Sequence, residues 1–349
     1  MQHIFEYIIC AGEDTFRDKP FQEEDFLALA QFTYLKLKDF VPGMGREHRG
    51  ITIRELACHP GSFQMVQENW FAKENWKLLQ LMAESRRYGE IRVNCYAECF
   101  LNKYDIQFQA VTFRWERDSV CICFRGTDES VAGWKEDFNL ALCPSIPGQE
   151  LARIYLRKVA GRYPGKIYLA GHSKGGNLSL YAALAAGKAM QQRIEAVYDF
   201  DGPDGCLNMS AYNGLERKIN KYVPRQSLVG VLLEQGITYK VVESDGLGIM
   251  QHNPYLWHIK EGQLVLCQER TLGSRMLSKF LNQKITSMKQ THRAACVEAL
   301  FEMISYPGQS SLFRMGENWK NMLYVILVTV KEKAGKKKRK KQVSGKKIL

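Results

Sequence analysis

A single serine among glycines is the feature of this sequence best suited to covalent chemistry. Residues 171–175 read "GHSKG", a G-x-S-x-G pattern with Ser173 at its centre. This pattern is typical of a nucleophile elbow, a sharp strand-to-helix turn that exposes the serine hydroxyl. The strained turn leaves little room for bulky neighbours, and glycines before and after the serine supply that room. We therefore predict that Ser173 is a nucleophile.

A nucleophilic serine needs a base, and the chain offers few histidines for this role. Of seven histidines, three follow the elbow: His252, His258 and His292. In proteins with this elbow, the acid and then the histidine follow the serine along the chain. His252 lies in a loop-like segment after a strand-like run, whereas His258 begins another strand-like run and His292 lies in a predicted helix. His172 is inside the elbow itself, so we predict His252 as the base.

The acid that orients the base is less clearly indicated. Asp201, in "YDFDGPDG", comes directly after the strand that follows the elbow helix. Loops at that edge of a parallel sheet line the active site in this kind of fold. Asp199 would point the other way or lie inside the strand. We predict Asp201, with Asp245 and Glu234 on later loops as the alternatives.

Two backbone N–H groups are candidates for stabilising a negatively charged oxygen. Lys174 follows the serine and opens the predicted helix, so its N–H would face the developing oxyanion. An earlier strand ends in "CFRGTDESVAGWKEDF", where Thr127 can supply a second N–H. We expect Arg125 and Asp128 to brace this loop.

The surrounding pattern indicates how these residues are positioned. Helical periodicity covers residues 21–40, 74–88, 148–162 and 175–187, with a possible further helix near 210–220; strand-like runs cover 105–115, 119–126, 166–170, "IEAVYDF", "INKYVP" and "ITYKVVESD". Strands that alternate with helices are typical of βαβ units and a mostly parallel sheet. We predict an α/β fold with helical N- and C-terminal extensions: a mainly helical part at 1–90, a core domain with C-terminal helices at 91–330 and a tail at 331–349.

Composition and charge narrow the classes of function. The net charge is +12, but residues 331–349 contain ten Lys/Arg and one Glu, so the rest of the chain is nearly neutral. We expect a disordered basic tail that contacts an anionic membrane surface, and no specific nucleic-acid partner. The ten cysteines show no zinc-finger spacing, so we expect free thiols, no metal and no cofactor. With no apolar run long enough to span a bilayer and no secretory signal, we expect a cytoplasmic protein with peripheral contact to the inner membrane surface.

Two long motifs, in this order, resemble a known family. "FRGTDESVAGWKEDF" followed by "GHSKGGNLSLYAA" is similar to the class 3 lipases of the α/β-hydrolase superfamily, which pair an F-R-G-[ST] loop with a G-H-S-x-G-[GA] elbow. The chain more closely resembles a bacterial branch called DUF2974, or Mbeg1-like, over residues 20–258. This resemblance implies an α/β-hydrolase fold, Ser173 as nucleophile, His252 as base, and Thr127 and Lys174 as oxyanion donors.

The chain departs from the class 3 pattern at two positions. Class 3 lipases carry the acid in a loop that resembles "KYVPRQSLVG", where this chain has Ser227. A serine cannot stabilise an imidazolium as a carboxylate does, so either Asp201 has taken over this role or the triad is incomplete. Lys174 stands where lipases usually have an apolar residue.

These observations predict a serine hydrolase, lipase- or esterase-like, that cleaves acyl esters through Ser173, His252 and Asp201. The substrate would be an acyl ester or a lipid. The alternative is a catalytically inactive α/β-hydrolase that acts as a binding or scaffolding module, in which replacing Ser173 would have no effect.

Overall fold

The computed structural model describes residues 2–45, 49–67, 71–101, 106–116, 118–127, 140 and 145–287. Expectations for Asp128, His292 and the tail at 331–349 lie outside these residues. The strands are β1 (Ile51–Thr52), β2 (Arg92–Leu101), β3 (Ile106–Glu116), β4 (Ser119–Phe124), β5 (Lys166–His172), β6 (Ile194–Phe200), β7 (Ile219–Pro224), β8 (Tyr239–Val242), β9 (Ile259–Lys260), β10 (Gln263–Leu264) and β11 (Leu266–Cys267). The helices are α1 (Ile4–Ala11), α2 (Glu23–Phe32), α3 (Ile53–Ala57), α4 (Ala72–Glu84), α5 (Pro147–Arg162), α6 (Lys174–Leu184), α7 (Lys188–Arg193), α8 (Tyr212–Leu215) and α9 (Leu272–Ser287).

A nine-stranded sheet forms the centre of the fold, in the order β1-β2-β3-β4-β5-β6-β7-β8-β11. Strands β4 to β8 pair in parallel, and antiparallel pairs flank them at both edges. This is the mostly parallel sheet with flanking helices that was predicted, an α/β-hydrolase fold. The carboxyl ends of β4, β5 and β6 therefore meet at one edge of the sheet, next to one another.

Both faces of the sheet are covered, which explains why its central strands are apolar throughout. Every residue of β4 is buried. Cys121 and Cys123 face the core shared with α1, α2 and α4, whereas Val120 and Ile122 face the core shared with α5 and α6. The sulfurs of Cys121 and Cys123 are 3.5 Å apart, so the two thiols lie on the same side of the strand, as predicted.

An ion pair inside the core links α2 to the loop between α4 and β2. Arg87 contacts Asp25 of α2 at 2.6 Å, and both side chains are fully buried. Tyr88 donates a further hydrogen bond to the same carboxylate at 2.5 Å. A buried pair of this kind needs such additional hydrogen bonds to offset the loss of solvation.

The helix expected over residues 21–40 is shorter in the structure and ends at Phe32. The hydroxyl of Thr33 donates to the carbonyl of Ala30 at 2.7 Å, which competes with continued helical bonding. The chain then turns and brings Tyr34 to the elbow. Likewise, the possible helix near 210–220 is a single turn of α-helix, α8, between two short 3₁₀ segments.

Candidate active site

Ser173 lies at the turn between β5 and α6, as the elbow pattern predicted. Its backbone has φ 58° and ψ −131°, a conformation that non-glycine residues adopt only at a cost of about 1–3 kcal/mol. Its N–H donates to the carbonyl of Phe200 at 2.9 Å. A Cβ on Gly171 would overlap the backbone of Gly175, and one on Gly175 would overlap the carbonyl of Phe124. The glycines are therefore required by the close approach of three chain segments.

The loop after β4 lies directly against the elbow. A Cβ on Gly126 would come within 2.7 Å of the carbonyl oxygen of His172. Thr127 is the next residue in this loop, and its side chain is buried. Lys174 begins α6, so its N–H lies at the positive end of the helix dipole. Both predicted oxyanion donors thus belong to segments that meet at Ser173.

The Lys174 side chain turns away from this edge into the protein interior. Its ammonium donates to the backbone carbonyl of Gln107 at 3.0 Å and to the Gln107 side-chain oxygen at 2.8 Å. Lys174 is 1% exposed. The unusual lysine therefore binds to β3, and its stem packs within the core.

His252 and Asp201 are hydrogen-bonded to each other. Nδ1 of His252 is 2.7 Å from Oδ2 of Asp201, and the carboxylate is fully buried. Because a carboxylate can only accept here, Nδ1 carries the proton and Nε2 retains its lone pair. This tautomer is the one that a general base requires.

The other oxygen of Asp201 is also occupied. Oδ1 accepts the Ser227 hydroxyl at 2.5 Å and the Gly230 N–H at 3.1 Å. Ser227, which stands where class 3 lipases carry the acid, thus donates to the carboxylate that contacts His252. The two alternative acids lie elsewhere: Asp245 contacts His3 and His258, and Glu234 is exposed.

His172 connects the N-terminal helices to the segment that carries His252. Its Nε2 is 2.8 Å from the backbone carbonyl of His252, and its Nδ1 is 2.8 Å from the Tyr34 hydroxyl. Since a carbonyl only accepts, Nε2 is the donor and Nδ1 accepts from Tyr34. Burial, together with the neighbouring His252, lowers the pKa of His172 well below its usual range. The ring is therefore neutral and positions His252 through hydrogen bonds.

Among the described residues, no hydrogen bond joins the side chains of Ser173 and His252, but the residue next to Ser173 contacts His252. The His172 ring, next in sequence to Ser173, lies 4.5 Å from the His252 ring, centroid to centroid. Ser173 is 8% exposed, and the His252 side chain is 23% exposed. In free enzymes, nucleophile and base are often farther apart than in the substrate complex.

A buried cation stabilises the loop that carries Asp201. The ammonium of Lys221 contacts the carbonyl of Gly202 at 2.6 Å and the carboxylates of Asp204 and Asp199 at 2.5 and 3.1 Å. Burial raises the pKa of Asp199 to about 7, although Lys221 opposes this shift. The network flanks Asp201, whose backbone has a left-handed φ of 56°.

Sequence reasoning missed three contributors to the site: Tyr34, Ser227 as a donor, and Lys221. Of these, only Lys221 had a local signal: it lies inside the predicted strand "INKYVP", and a charge buried in a strand requires a partner of opposite charge. The contacts of Tyr34 and Ser227 join residues 138 and 26 positions apart, beyond the reach of any local pattern.

Comparisons with known proteins give one family match. A family model described as Mbeg1-like matches residues 82–302. No curated protein matches the chain.

Several solved structures are similar in part. The M37 lipase has 15% identity and a TM-score of 0.40, with 77% of this chain and 81% of that chain covered. The Rhizomucor miehei lipase propeptide complex has 15% identity and a TM-score of 0.32, with 44% of this chain and 57% of that chain covered. A triacylglycerol lipase from Penicillium expansum has 13% identity and a TM-score of 0.33, with 52% and 75% covered.

Proposed function

This chain belongs to the Mbeg1-like family, and we propose that it is a serine hydrolase, lipase- or esterase-like, that cleaves acyl esters. The observation that carries the proposal is the 2.7 Å contact between Asp201 and His252, in a chain whose Ser173 has the strained conformation of an elbow. A histidine with this tautomer and a buried carboxylate behind it is the arrangement that activates a serine.

In the proposed reaction, Oγ of Ser173 attacks the ester carbonyl carbon while Nε2 of His252 takes its proton. The carbonyl π electrons move to the oxygen, where the N–H groups of Lys174 and Thr127 stabilise the negative charge. The tetrahedral intermediate collapses, and His252 donates the proton to the departing alcohol. Water, deprotonated by His252, then attacks the acyl carbon. The bond from that carbon to Oγ of Ser173 breaks, His252 returns the proton to Oγ, and the carboxylic acid leaves. Asp201 stays ionised and stabilises the imidazolium throughout.

Two parts of the structure support an acyl substrate rather than a phosphoryl or glycosyl group. The predicted donors for the developing charge are backbone N–H groups at a helix start and a strand-end loop, an arrangement suited to the oxyanion of acyl transfer. The Lys174 ammonium is bound to Gln107, so it does not present a positive charge to an anionic group at the serine.

Labelling with a fluorophosphonate probe tests the proposal directly. We expect the purified chain to be labelled, and Ser173→Ala and His252→Ala to abolish labelling. Ser210 is exposed, so Ser210→Ala serves as the matched control and should be labelled as strongly as the original chain. Folding of each variant is checked by circular dichroism and thermal unfolding.

The alternative, an inactive α/β-hydrolase that acts as a binding module, predicts a different result. A folded chain without labelling, or labelling that survives Ser173→Ala, would contradict the hydrolase proposal. If labelling succeeds, a series of p-nitrophenyl esters graded by acyl length would then define the substrate class.

We also propose a cytoplasmic protein whose basic tail, residues 331–349, contacts an anionic membrane surface. Among the described residues, no helix is long and apolar enough to cross a membrane. Each basic residue near an anionic surface contributes about 1 kcal/mol, and the tail carries ten Lys/Arg. Co-sedimentation with vesicles that contain phosphatidylserine should fall when residues 331–349 are deleted; unchanged binding would contradict the proposal.

A further inference from the structure

Two histidines and one aspartate from distant parts of the chain meet at the edge of the fold. Nε2 of His3 is 2.9 Å from Oδ2 of Asp245, and Nε2 of His258 is 2.8 Å from Oδ1 of the same carboxylate. The three ligand atoms lie within 4.8 Å of one another. The rings of His3 and His258 are arranged edge to face, with centroids 5.6 Å apart.

The donor set matches a transition-metal ion. Two imidazole nitrogens and one carboxylate are common ligands of Zn²⁺, whereas Mg²⁺ and Ca²⁺ favour oxygen ligands alone. Tetrahedral ligands about 2.0–2.2 Å from zinc are roughly 3.3–3.6 Å apart. The two nitrogens lie 2.9 and 2.8 Å from separate oxygens of Asp245, and all three ligand atoms lie within 4.8 Å of one another, so modest side-chain movements would bring them to that spacing.

We infer that His3, Asp245 and His258 form a Zn²⁺-binding site that joins the N-terminus to the loop after β8. The fourth position is open to water, because the side chain of Asp245 is 55% exposed. Spacing along the sequence predicted no metal site, since the ligands are 242 and 13 residues apart. The inference does not depend on the serine chemistry.

The surroundings of the two imidazoles suggest an affinity below that of closed structural zinc sites. When Nε2 binds a metal, Nδ1 carries the proton and is best satisfied by an acceptor. For His3, the Glu6 carboxylate lies 4.0 Å from Nδ1. Nδ1 of His258 is buried with no partner among the described residues. One imidazole therefore lacks the supporting hydrogen bond, which typically costs about 10–100-fold in metal affinity.

An ion here would fix the segment that leads to His252. Asp245 lies seven positions before His252, and Gln251 bridges this segment by donating to the carbonyls of Ser244 and Gly246 at 3.1 and 3.2 Å. On the far side of His252, the N–H of Ile259 donates to the backbone carbonyl of Gln2 at 2.8 Å, which links this segment to the N-terminal residues. Zinc would replace the hydrogen bond between His3 and Asp245 by coordination bonds between the N-terminal segment and this part of the chain.

Isothermal titration with ZnCl₂ tests the site, using the full chain without a polyhistidine tag and after treatment with EDTA. We expect one Zn²⁺ per chain and no binding of Mg²⁺. His3→Ala and Asp245→Asn should each weaken binding at least tenfold; these ligands are more exposed than His258, so their replacement leaves the fold intact. Zinc should raise the Tm of the original chain but not that of His3→Ala.

Zinc bound at another pair of potential ligands must be distinguished from zinc bound at this site. Cys58 and His59 are adjacent and exposed, so His59→Ala is the matched control and should bind zinc normally. Replacement of zinc by Co²⁺ should give the visible spectrum of nitrogen and oxygen ligands, with no sulfur charge-transfer band. No zinc binding by the original chain, binding undiminished in both variants, or a sulfur band would each overturn the inference.

Discussion

Replacing Asp201 with Asn tests whether this carboxylate sets the tautomer of His252, because the substitution changes little else in the site. In the structure, Oδ1 of Asp201 accepts two donors, the Ser227 hydroxyl and the Gly230 N–H. An Asn side chain placed in the same way would keep its carbonyl oxygen towards those donors. Its NH₂ group would then face Nδ1 of His252, which must become the acceptor. Nε2 would carry the proton and could not take one from Ser173.

The expected loss of kcat follows from the free-energy cost of reversing the side-chain amide in Asp201→Asn. Turning the Asn oxygen towards His252 would restore the productive tautomer but would leave the Ser227 and Gly230 donors facing an NH₂ group. Each unsatisfied buried donor costs about 1–3 kcal/mol, so the productive form lies about 2–6 kcal/mol higher. This corresponds to a loss in kcat of roughly 30-fold to 3 × 10⁴-fold.

The assay is steady-state hydrolysis of a p-nitrophenyl ester, with thermal unfolding to confirm that the variant is folded. Glu234→Gln replaces an exposed alternative acid and should retain the original rate. A double variant, Asp201→Asn with Ser227→Ala, should be no slower than Asp201→Asn alone, because the amide then reverses more easily.

Two outcomes would refute this reasoning. If Asp201→Asn kept more than a tenth of the original kcat, the carboxylate would not set the tautomer of His252. If Glu234→Gln reduced kcat as strongly as Asp201→Asn, the acid would be Glu234.

Three further predictions concern residues around the site. Ser227→Ala removes one hydrogen bond to Asp201 and should lower kcat roughly tenfold in the same assay, since about 1.4 kcal/mol of positioning is lost; an unchanged kcat would exclude a positioning role. Lys221→Met leaves two buried carboxylates without their cation and should lower the free energy of unfolding by about 3–5 kcal/mol in urea titrations, whereas the exposed Lys260→Met should have little effect. Burial raises the pKa of Glu24 from 4.5 to about 7, so the folded state binds this proton more tightly than the unfolded state. Protonation of Glu24 therefore stabilises the fold fully below pH 4.5, and this stabilisation falls by about 3 kcal/mol as the pH rises to 7. Glu24→Gln should flatten this dependence in urea titrations between pH 5 and 7.5, and an unchanged slope would disprove the assignment.

Local sequence determined the elbow, the sheet around it and the order of its parts. Two glycines flank Ser173, one two positions before it and one two positions after it, between a buried strand and an Ala/Leu-rich helix. They specify a strand-to-helix turn through steric constraints within a few residues. Strand "INKYVP" was predicted with its observed bounds, Ile219–Pro224. Strand β2 was not predicted, because its residues follow no clean alternation.

Helix ends were less predictable than helix centres. Helical spacing continued beyond Phe32 in the sequence, yet α2 ends there, because the competing hydrogen bond of Thr33 and the packing of Tyr34 against the elbow are not visible in a periodic pattern. A local hydrogen bond and a tertiary contact of Tyr34 together decided this boundary.

Tertiary structure alone distinguishes the three candidate acids by their contacts. The sequence left Asp201, Asp245 and Glu234 open, because all three lie on loops after strands. Only the packed fold shows Asp201 buried against His252, Asp245 between two other histidines and Glu234 exposed. Local patterns encode which backbone turns are possible, whereas contacts between residues far apart in sequence depend on how the parallel strands bring their carboxyl ends together.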